Sequence, residues 1–269
     1  MFFAIPFPNI DPVIFAVGPV AIRWYSLAYI AGLVLGWFYM KRLVQKQPAV
    51  CKSVAVDDFL VWATLGVVLG GRAGIVLFYQ FDYYMANPAK IIALWEGGMS
   101  FHGGFLGVVA AALLFCRLRG IHPLRFGDML ACAAPIGLFF GRIANFINSE
   151  LWGRPADVAW AVMFPNGGGI PRHPSQLYEA LLEGALLFTV LFVLSRNESL
   201  RRRPGFLMGV FIAGYGIART IAEVFREPDA YIGFLAFGTT WGQWLSLPMI
   251  AVGVYFIVRA MKRDPIPAA

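Results

Sequence analysis

The sequence predicts an all-α polytopic membrane protein: seven transmembrane helices with a small cap on the outer face. Three observations predict it. Of the 269 residues, 59% are hydrophobic and only 14% are charged, too few charges to cover a soluble protein of this size. Seven apolar runs are each long enough for a spanning helix, which takes about 20 mostly apolar residues. Lys and Arg residues collect in alternate connections between those runs. The chain, 1–269, reads as a single integral membrane domain with no internal repeat.

The elements follow in order. The opening stretch MFFAIPFPNIDPVIF has no basic n-region and no small-residue cleavage site, so it is not expected to be a cleaved signal peptide. Its Pro and Phe content places it at the membrane interface, ahead of the first span. The spans fall at about 20–40, 58–80, 98–116, 127–147, 176–195, 205–223 and 242–260. The clearest are SLAYIAGLVLGWFYM, FLGVVAAALLFC, LLEGALLFTVLFVL and WLSLPMIAVGVYFIV. These runs are continuous rather than alternating, which argues for helices over strands. Gly66, Gly70 and Gly74 recur at four-residue spacing in the second span and permit a close helix contact. The connection at about 148–175 is rich in Gly, Pro and Asn and is the expected cap.

Loop charge sets the orientation. Lys41, Arg42, Lys46 and Lys52 follow span one, and Arg117, Arg119 and Arg125 follow span three. Arg196, Arg201, Arg202 and Arg203 follow span five, and Arg259, Lys262 and Arg263 close span seven. These connections share the cytoplasmic side, so the N-terminus lies outside and the C-terminus inside. The net charge of +7 is therefore topological, and no nucleic-acid partner is expected. Cys51, Cys116 and Cys132 are far apart and form no CxxC pattern, so neither a disulfide framework nor a metal site is expected.

The remaining basic residues are Arg23, Arg72, Lys90, Arg142, Arg154, Arg172, Arg219 and Arg226, most of them near the outer ends of spans. An Arg in a membrane faces a cavity or a partner; helix-end snorkelling is the plainer alternative. Two polar stripes favour a cavity. At 100° per residue, Arg142, Asn145 and Ser149 share one helix face. Tyr215, Arg219, Glu223 and Arg226 form another. Arg219 and Glu223 could equally form a structural i,i+4 ion pair. Arg suits phosphate because its planar fork donates two parallel hydrogen bonds and stays charged. A phosphate at this depth belongs most naturally to a phospholipid headgroup.

Two further stretches lie on the same side. In EGGMSFHGGFLGV, at 96–108, His102 stands among Gly97, Gly98, Gly103 and Gly104, either as a packing residue or as a group that titrates near neutrality. In PRHPSQLYE, at 171–179, Ser175 reads as an N-cap for span five rather than a nucleophile. His122 lies on the cytoplasmic side, away from these residues. The sequence contains no GxSxG, Walker, HExxH or dinucleotide motif, so no covalent-serine or metal mechanism is indicated and no cofactor is implied.

The stretch GRIANFINSELWGRP, at 141–155, closely resembles the signature of the prolipoprotein diacylglyceryl transferase family. GGMSFHGGFLGV, RHPSQLYE, RWYSLAYIAG and GYGIARTIAEVFREPD resemble the family's other blocks in the same order, over essentially the whole chain. The connection between Arg154 and Arg172 is shorter than in some members. The resemblance implies a bacterial inner-membrane enzyme with a small periplasmic cap and an active site toward the periplasmic side. Such an enzyme moves the sn-1,2-diacylglyceryl group of phosphatidylglycerol to the lipobox cysteine of a preprolipoprotein. The products are a thioether and glycerol 1-phosphate. The resemblance makes Arg142 and Arg219 holders of the lipid phosphate and puts His102 in the catalytic region. It matches Tyr25, Asn145, Glu150, Gly153, Tyr215 and Glu223 to other functional positions.

The chemistry is consistent with these residues. The thiolate is the nucleophile, so a base must take the thiol proton; His102, Glu150 and Glu223 are the candidates. Fixed guanidinium groups stabilise charge developing on the leaving phosphate. Partners are then phosphatidylglycerol, the lipobox segment and membrane lipids. The competing reading is a phospholipid or anion transporter with an intramembrane arginine site, for which Arg72, deeper in span two, is the suggestive residue. A seven-span binding protein is the third reading, and needs no base beside the phosphate site.

Overall fold

A computed structural model describes residues 4–8, 10–18, 20–228 and 233–267. It is mostly helical. Ten α-helices occur among the described residues: α1 (Trp24–Leu43), α2 (Val54–Gly74), α3 (Phe81–Ala86), α4 (Phe101–Arg119), α5 (Pro123–Ile147), α6 (Ser175–Glu179), α7 (Leu187–Arg196), α8 (Glu198–Arg201), α9 (Phe206–Glu223) and α10 (Trp241–Lys262). Wide π-helical turns at Ile75–Tyr79 and Ala180–Leu186 extend α2 and join α6 to α7.

Six helical segments are long and apolar enough to cross a membrane: Val54–Tyr79, Phe101–Arg119, Pro123–Ile147, Ser175–Arg196, Phe206–Glu223 and Trp241–Lys262. They coincide with six of the seven expected spans. The remaining expectation, 20–40, corresponds to α1. At 20 residues α1 has the length, but Trp24, Tyr25, Tyr29, Trp37 and Tyr39 lower its hydropathy below that of the other six. Side chains such as Leu33, Leu69 and Leu106 are more than half exposed, as lipid-facing residues must be and water-facing ones rarely are.

Short strands stand outside the spans. β2 (Val13–Val17) pairs antiparallel with β3 (Val20–Arg23), and β1 (Ile5–Pro6) pairs in parallel with β4 (Val162–Met163). Residues 20–23, expected to be helical, are thus extended. Their sequence, VAIR, is rich in β-branched residues that suit a pleated pair.

The chain forms two compact units, residues 1–40 with 128–269, and 41–127. In the second unit, α2 and α4 meet through the glycines that their spacing anticipates. A Cβ on Gly70 would lie 2.4 Å from the Gly103 carbonyl oxygen, and one on Gly107 would lie 2.0 Å from that of Gly66. Lipid competes equally for apolar surface, so helices in a membrane associate mainly through close van der Waals packing, which small residues allow. Phe59, Phe115 and Phe126 pack ring against ring at 5.0–5.6 Å. Lys41 pairs with Asp57 at 3.0 Å and Arg119 with Asp58 at 2.7 Å.

In the first unit, α9 and α10 approach in the same manner at Gly209 and Gly253. The buried carboxylate of Asp128 accepts the Gly205 and Met208 amides, both at 2.8 Å, and so caps α9 from α5. Gly107→Leu should force α2 and α4 apart. Overpacking costs about 1–3 kcal/mol, so the melting temperature in detergent micelles should fall, while Leu106→Ala, at a position that is 62% exposed, should leave it nearly unchanged. Equal melting temperatures would contradict the packing account.

Candidate functional site

The polar residues of the first unit converge on a buried ion-pair cluster built by three helical segments. Arg142, near the end of α5, pairs through Nη1 with Glu179 Oε2 at 2.8 Å and donates from Nη2 to Glu183 Oε2 at 3.0 Å. Arg219 of α9 reaches the same Glu179 oxygen at 3.0 Å and also pairs with Glu223. Arg226, just beyond α9, donates to the other Glu179 oxygen at 3.1 Å. Glu179 therefore receives three guanidinium groups. Glu179 and Glu183 flank the start of the π-helical turn, and both face Arg142. Tyr215, one turn before Arg219 on α9, is within electrostatic reach of Glu183, Arg219 and Arg142.

Three arginines face three glutamates, so the cluster is close to charge balance. The balance is not evenly exposed. The Glu179 and Glu183 side chains are 0% exposed, while those of Arg142 and Arg219 are 16% and 17% exposed. The carboxylates are sealed off, so the edge that the cluster exposes is arginine side chain. Such an edge can receive an anion.

A second group forms where α5 ends. Ser149 and Leu151 take left-handed backbone conformations, φ +53° and +57°, which are uncommon for residues with side chains. The chain turns sharply there. Asn145 Nδ2 donates to Glu150 Oε1 at 2.7 Å. Gln176 Nε2 donates to the Glu150 carbonyl at 2.6 Å and Ser175 Oγ to that of Leu151 at 3.0 Å. Tyr25 interacts with Asn145 and Glu150. Gly153 then bridges to Arg226 as an extended pair, which ties this turn to the ion-pair cluster. A Cβ on Gly153 would sit 2.5 Å from the Phe225 carbonyl oxygen and 2.6 Å from that of His173, so only glycine fits.

Arg142, Arg219, Tyr215, Glu223, Asn145, Glu150, Gly153 and Tyr25 thus gather in one unit. Two expectations change. Ser149 does not share the helix face of Arg142 and Asn145, because α5 stops at Ile147. Ser175 does not cap its helix; it is the first helical residue, and its hydroxyl donates to Leu151. The sequence reading also missed Glu179 and Glu183, the centre of the cluster. Their signal was two acids four residues apart at the head of an apolar run, YEALLEGALLF.

His102 belongs to the second unit, on the first turn of α4, with an exposed side chain. Ser100 caps that helix, accepting the Gly103 amide at 3.1 Å. Arg72 secures the preceding loop. Its guanidinium donates to the backbone carbonyls of Lys90, Ile91, Ala93, Gly97 and Gly98. It also lies 5.1 Å from the centre of the Tyr84 ring. Five carbonyls satisfy its five N–H donors, so the residue that suited a transporter is a loop clamp. Cys51, Cys116 and Cys132 are all free thiols. Among the described residues, no group of three or more His, Cys, Asp or Glu side chains could hold a metal ion.

The sequence pattern of the family described as prolipoprotein diacylglyceryl transferase matches residues 12–259. The chain is 59% identical over 264 residues to the phosphatidylglycerol–prolipoprotein diacylglyceryl transferase of Paramagnetospirillum magneticum, covering 98% of each chain. It is 58% identical to the protein of that name from Rhodospirillum rubrum, over 99% of this chain and 98% of the relative. The same identity holds for the one from Azospirillum brasilense, over 99% of each. The chain belongs to the prolipoprotein diacylglyceryl transferase family, and it is a multi-pass membrane protein.

Removing one partner of a buried ion pair strands the other charge and costs about 3–5 kcal/mol. Glu179→Gln should therefore destabilise the protein strongly in denaturation assays. Glu150→Gln, which alters a single hydrogen bond from Asn145, should cost far less. Equal losses would show that Glu179 does not hold the arginines in place.

Proposed function

We propose that this member of the family transfers the sn-1,2-diacylglyceryl group of phosphatidylglycerol to the lipobox cysteine thiol of preprolipoproteins, the first step of bacterial lipoprotein maturation. The observation that carries the reading is the arginine edge of the ion-pair cluster. Arg142 Nη1 and Arg219 Nη1 lie 2.8 and 3.0 Å from one oxygen of Glu179, so the two nitrogens stand no more than about 6 Å apart, close enough to grip one phosphate together. Their carboxylate partners hold them rigid, and rigid donors stabilise developing charge without reorganising. Arg142 and Arg219 hold the lipid phosphate. Tyr25, Asn145, Glu150, Gly153, Tyr215 and Glu223 shape and support the lipid site around them.

His102 is the general base. The thiol proton moves to the imidazole, and the sulfur electron pair forms a C–S bond at the sn-3 carbon of the diacylglyceryl group. The C–O bond to phosphate breaks, its electron pair going to the phosphate oxygen. Glycerol 1-phosphate departs, and the proton passes from the imidazolium to solvent. Glu223 suits this role less, because Arg219 already occupies its carboxylate. Glu150 accepts a hydrogen bond from Asn145, which leaves it a positioning group.

The enzyme works in the bacterial inner membrane as one integral domain over 1–269, with seven spans including α1. Its N-terminus is periplasmic and its C-terminus cytoplasmic, as the alternating loop charge supports. The segment at about 148–175, tied together by the bridges of Pro155 and Val162 to Arg172, is the periplasmic cap, and the active site lies toward that side. A topology reporter fused after Ala269 should be active only in the cytoplasm; periplasmic activity would reverse the orientation.

Two substitutions test the roles. Arg142→Lys or Arg219→Lys keeps the charge but loses the planar fork, so transfer should fall sharply while the protein still inserts. Near-normal transfer by both Arg219→Lys and Arg219→Ala would return that residue to a structural ion pair. His102→Gln should lower the rate by about 10²–10⁴-fold, the usual contribution of a general base. The loss should shrink as pH approaches the thiol's own pKa, roughly 8.5, because the thiolate then forms unaided. A wild-type to His102→Gln ratio that does not change with pH contradicts the base assignment.

A further inference from the structure

The Tyr79 hydroxyl lies 3.4 Å from Nδ1 of His102. The two residues are 23 apart in sequence, and several features fix the backbone that brings them together. Tyr79 is the last residue of the π-helical turn Ile75–Tyr79, closed by a hydrogen bond from the Gln80 amide to the Ile75 carbonyl at 2.9 Å. A π turn inserts one residue into a helix and re-aims the side chains after it; such turns concentrate at functional sites. Just before it, a Cβ on Gly74 would lie 2.9 Å from the Gly103 Cα, so the end of α2 and the start of α4 are in backbone contact. The Ser100 amide donates to the Gly71 carbonyl at 2.9 Å, and Arg72 clamps the loop before it. The backbones of both residues are held, yet both side chains are exposed. Tyr79 also lines an open cavity of about 570 Å³ with Asp82, Tyr83, Gly97 and Gly98.

We infer that Tyr79 is a positioning residue that holds His102 with its proton on Nδ1 and its Nε2 lone pair turned to the thiol. The inference rests on the base reading of His102. Imidazole carries one proton when neutral, and a hydroxyl partner fits either tautomer, accepting from an N–H or donating to a bare ring nitrogen. With Nδ1–H donating to the Tyr79 oxygen, Nε2 is the basic atom. When Nε2 takes the thiol proton, the imidazolium keeps the same donation, so the ring holds its orientation through the transfer. Besides Tyr79, the ionisable groups that line the cavity are Asp82, Tyr83 and Tyr84, with Arg72 behind Gly97 and Gly98.

Tyr79→Phe removes only the hydroxyl and keeps the ring. Transfer kinetics are compared for wild type, Tyr79→Phe, His102→Gln and the double variant, with phosphatidylglycerol and a lipobox peptide. Tyr79→Phe should lower kcat by about tenfold or more, part of the about 10²–10⁴-fold that a base contributes, with KM for the lipid unchanged. In the His102→Gln background it should change kcat by less than about twofold, because residues that act as a unit are not additive. An equal loss in both backgrounds, no loss, or a loss confined to KM overturns the positioning role and leaves the base reading intact. Near-normal transfer by His102→Gln itself overturns both. A second readout is independent of activity. Nitrogen-15 NMR of histidine-labelled protein in micelles, with the His102 signal assigned by its loss in His102→Gln, should report the proton on Nδ1 in wild type and a shift toward Nε2 in Tyr79→Phe. An unchanged tautomer overturns the inference.

Discussion

Glu179 is the interaction on which the site depends. One fully buried carboxylate receives Arg142, Arg219 and Arg226. None of these guanidinium groups could stay so deep in an apolar protein unpartnered, because an isolated buried ion costs several kcal/mol. The shared carboxylate ties α5, α6 and α9 together and sets the distance between the two arginines at the open edge. The wide turn after Glu179 brings Glu183 onto Arg142, and Glu223 completes the set on Arg219. Charge balance makes the cluster stable, and the burial of its acidic half leaves arginine at the accessible edge. The desolvation cost of these fixed donors is thus already offset within the protein.

The second unit applies the opposite rule to its one deep cation. Arg72 is 5% exposed and is held by backbone carbonyls and the Tyr84 ring. Carbonyl dipoles replace its hydration without offering a charge. The result is a loop pinned against the end of α2, from which α4 starts at a defined place. The glycine contact between α2 and α4 works with it, because a Cβ at Gly70, Gly103 or Gly107 would collide with the facing backbone. His102 thus rests on a rigid base and yet faces outward.

Much of this was legible in the sequence. Hydrophobic runs locate six spans to within a few residues, since an apolar stretch of that length has few alternatives to a helix in lipid. Of the expected polar stripe, Tyr215, Arg219 and Glu223 share one face of α9, while Arg226, expected on the same face, lies beyond the end of the helix at Glu223. The glycine spacing in α2 marks a real contact. Other features depend on backbone geometry that periodicity does not encode. Ser149 leaves its face because the helix ends two residues earlier. Ser175 turns from a cap into a donor because a left-handed turn carries the Leu151 carbonyl to it. Glu179 and Glu183 were hidden by the hydrophobic run around them, although two acids within such a run are costly enough to demand partners. Arg72 could not be read at all, since its partners are main-chain atoms up to 26 residues away.

A bond-forming transfer at the arginine edge and passage of lipid past it leave different products. Purified protein in micelles, given phosphatidylglycerol labelled in its diacylglyceryl part and a lipobox peptide, tells the two apart directly. The account predicts a labelled thioether on the cysteine, one glycerol 1-phosphate released for each, and no transfer to a Cys→Ser peptide. Absence of the thioether, with labelled lipid instead crossing a reconstituted bilayer unchanged, would contradict it.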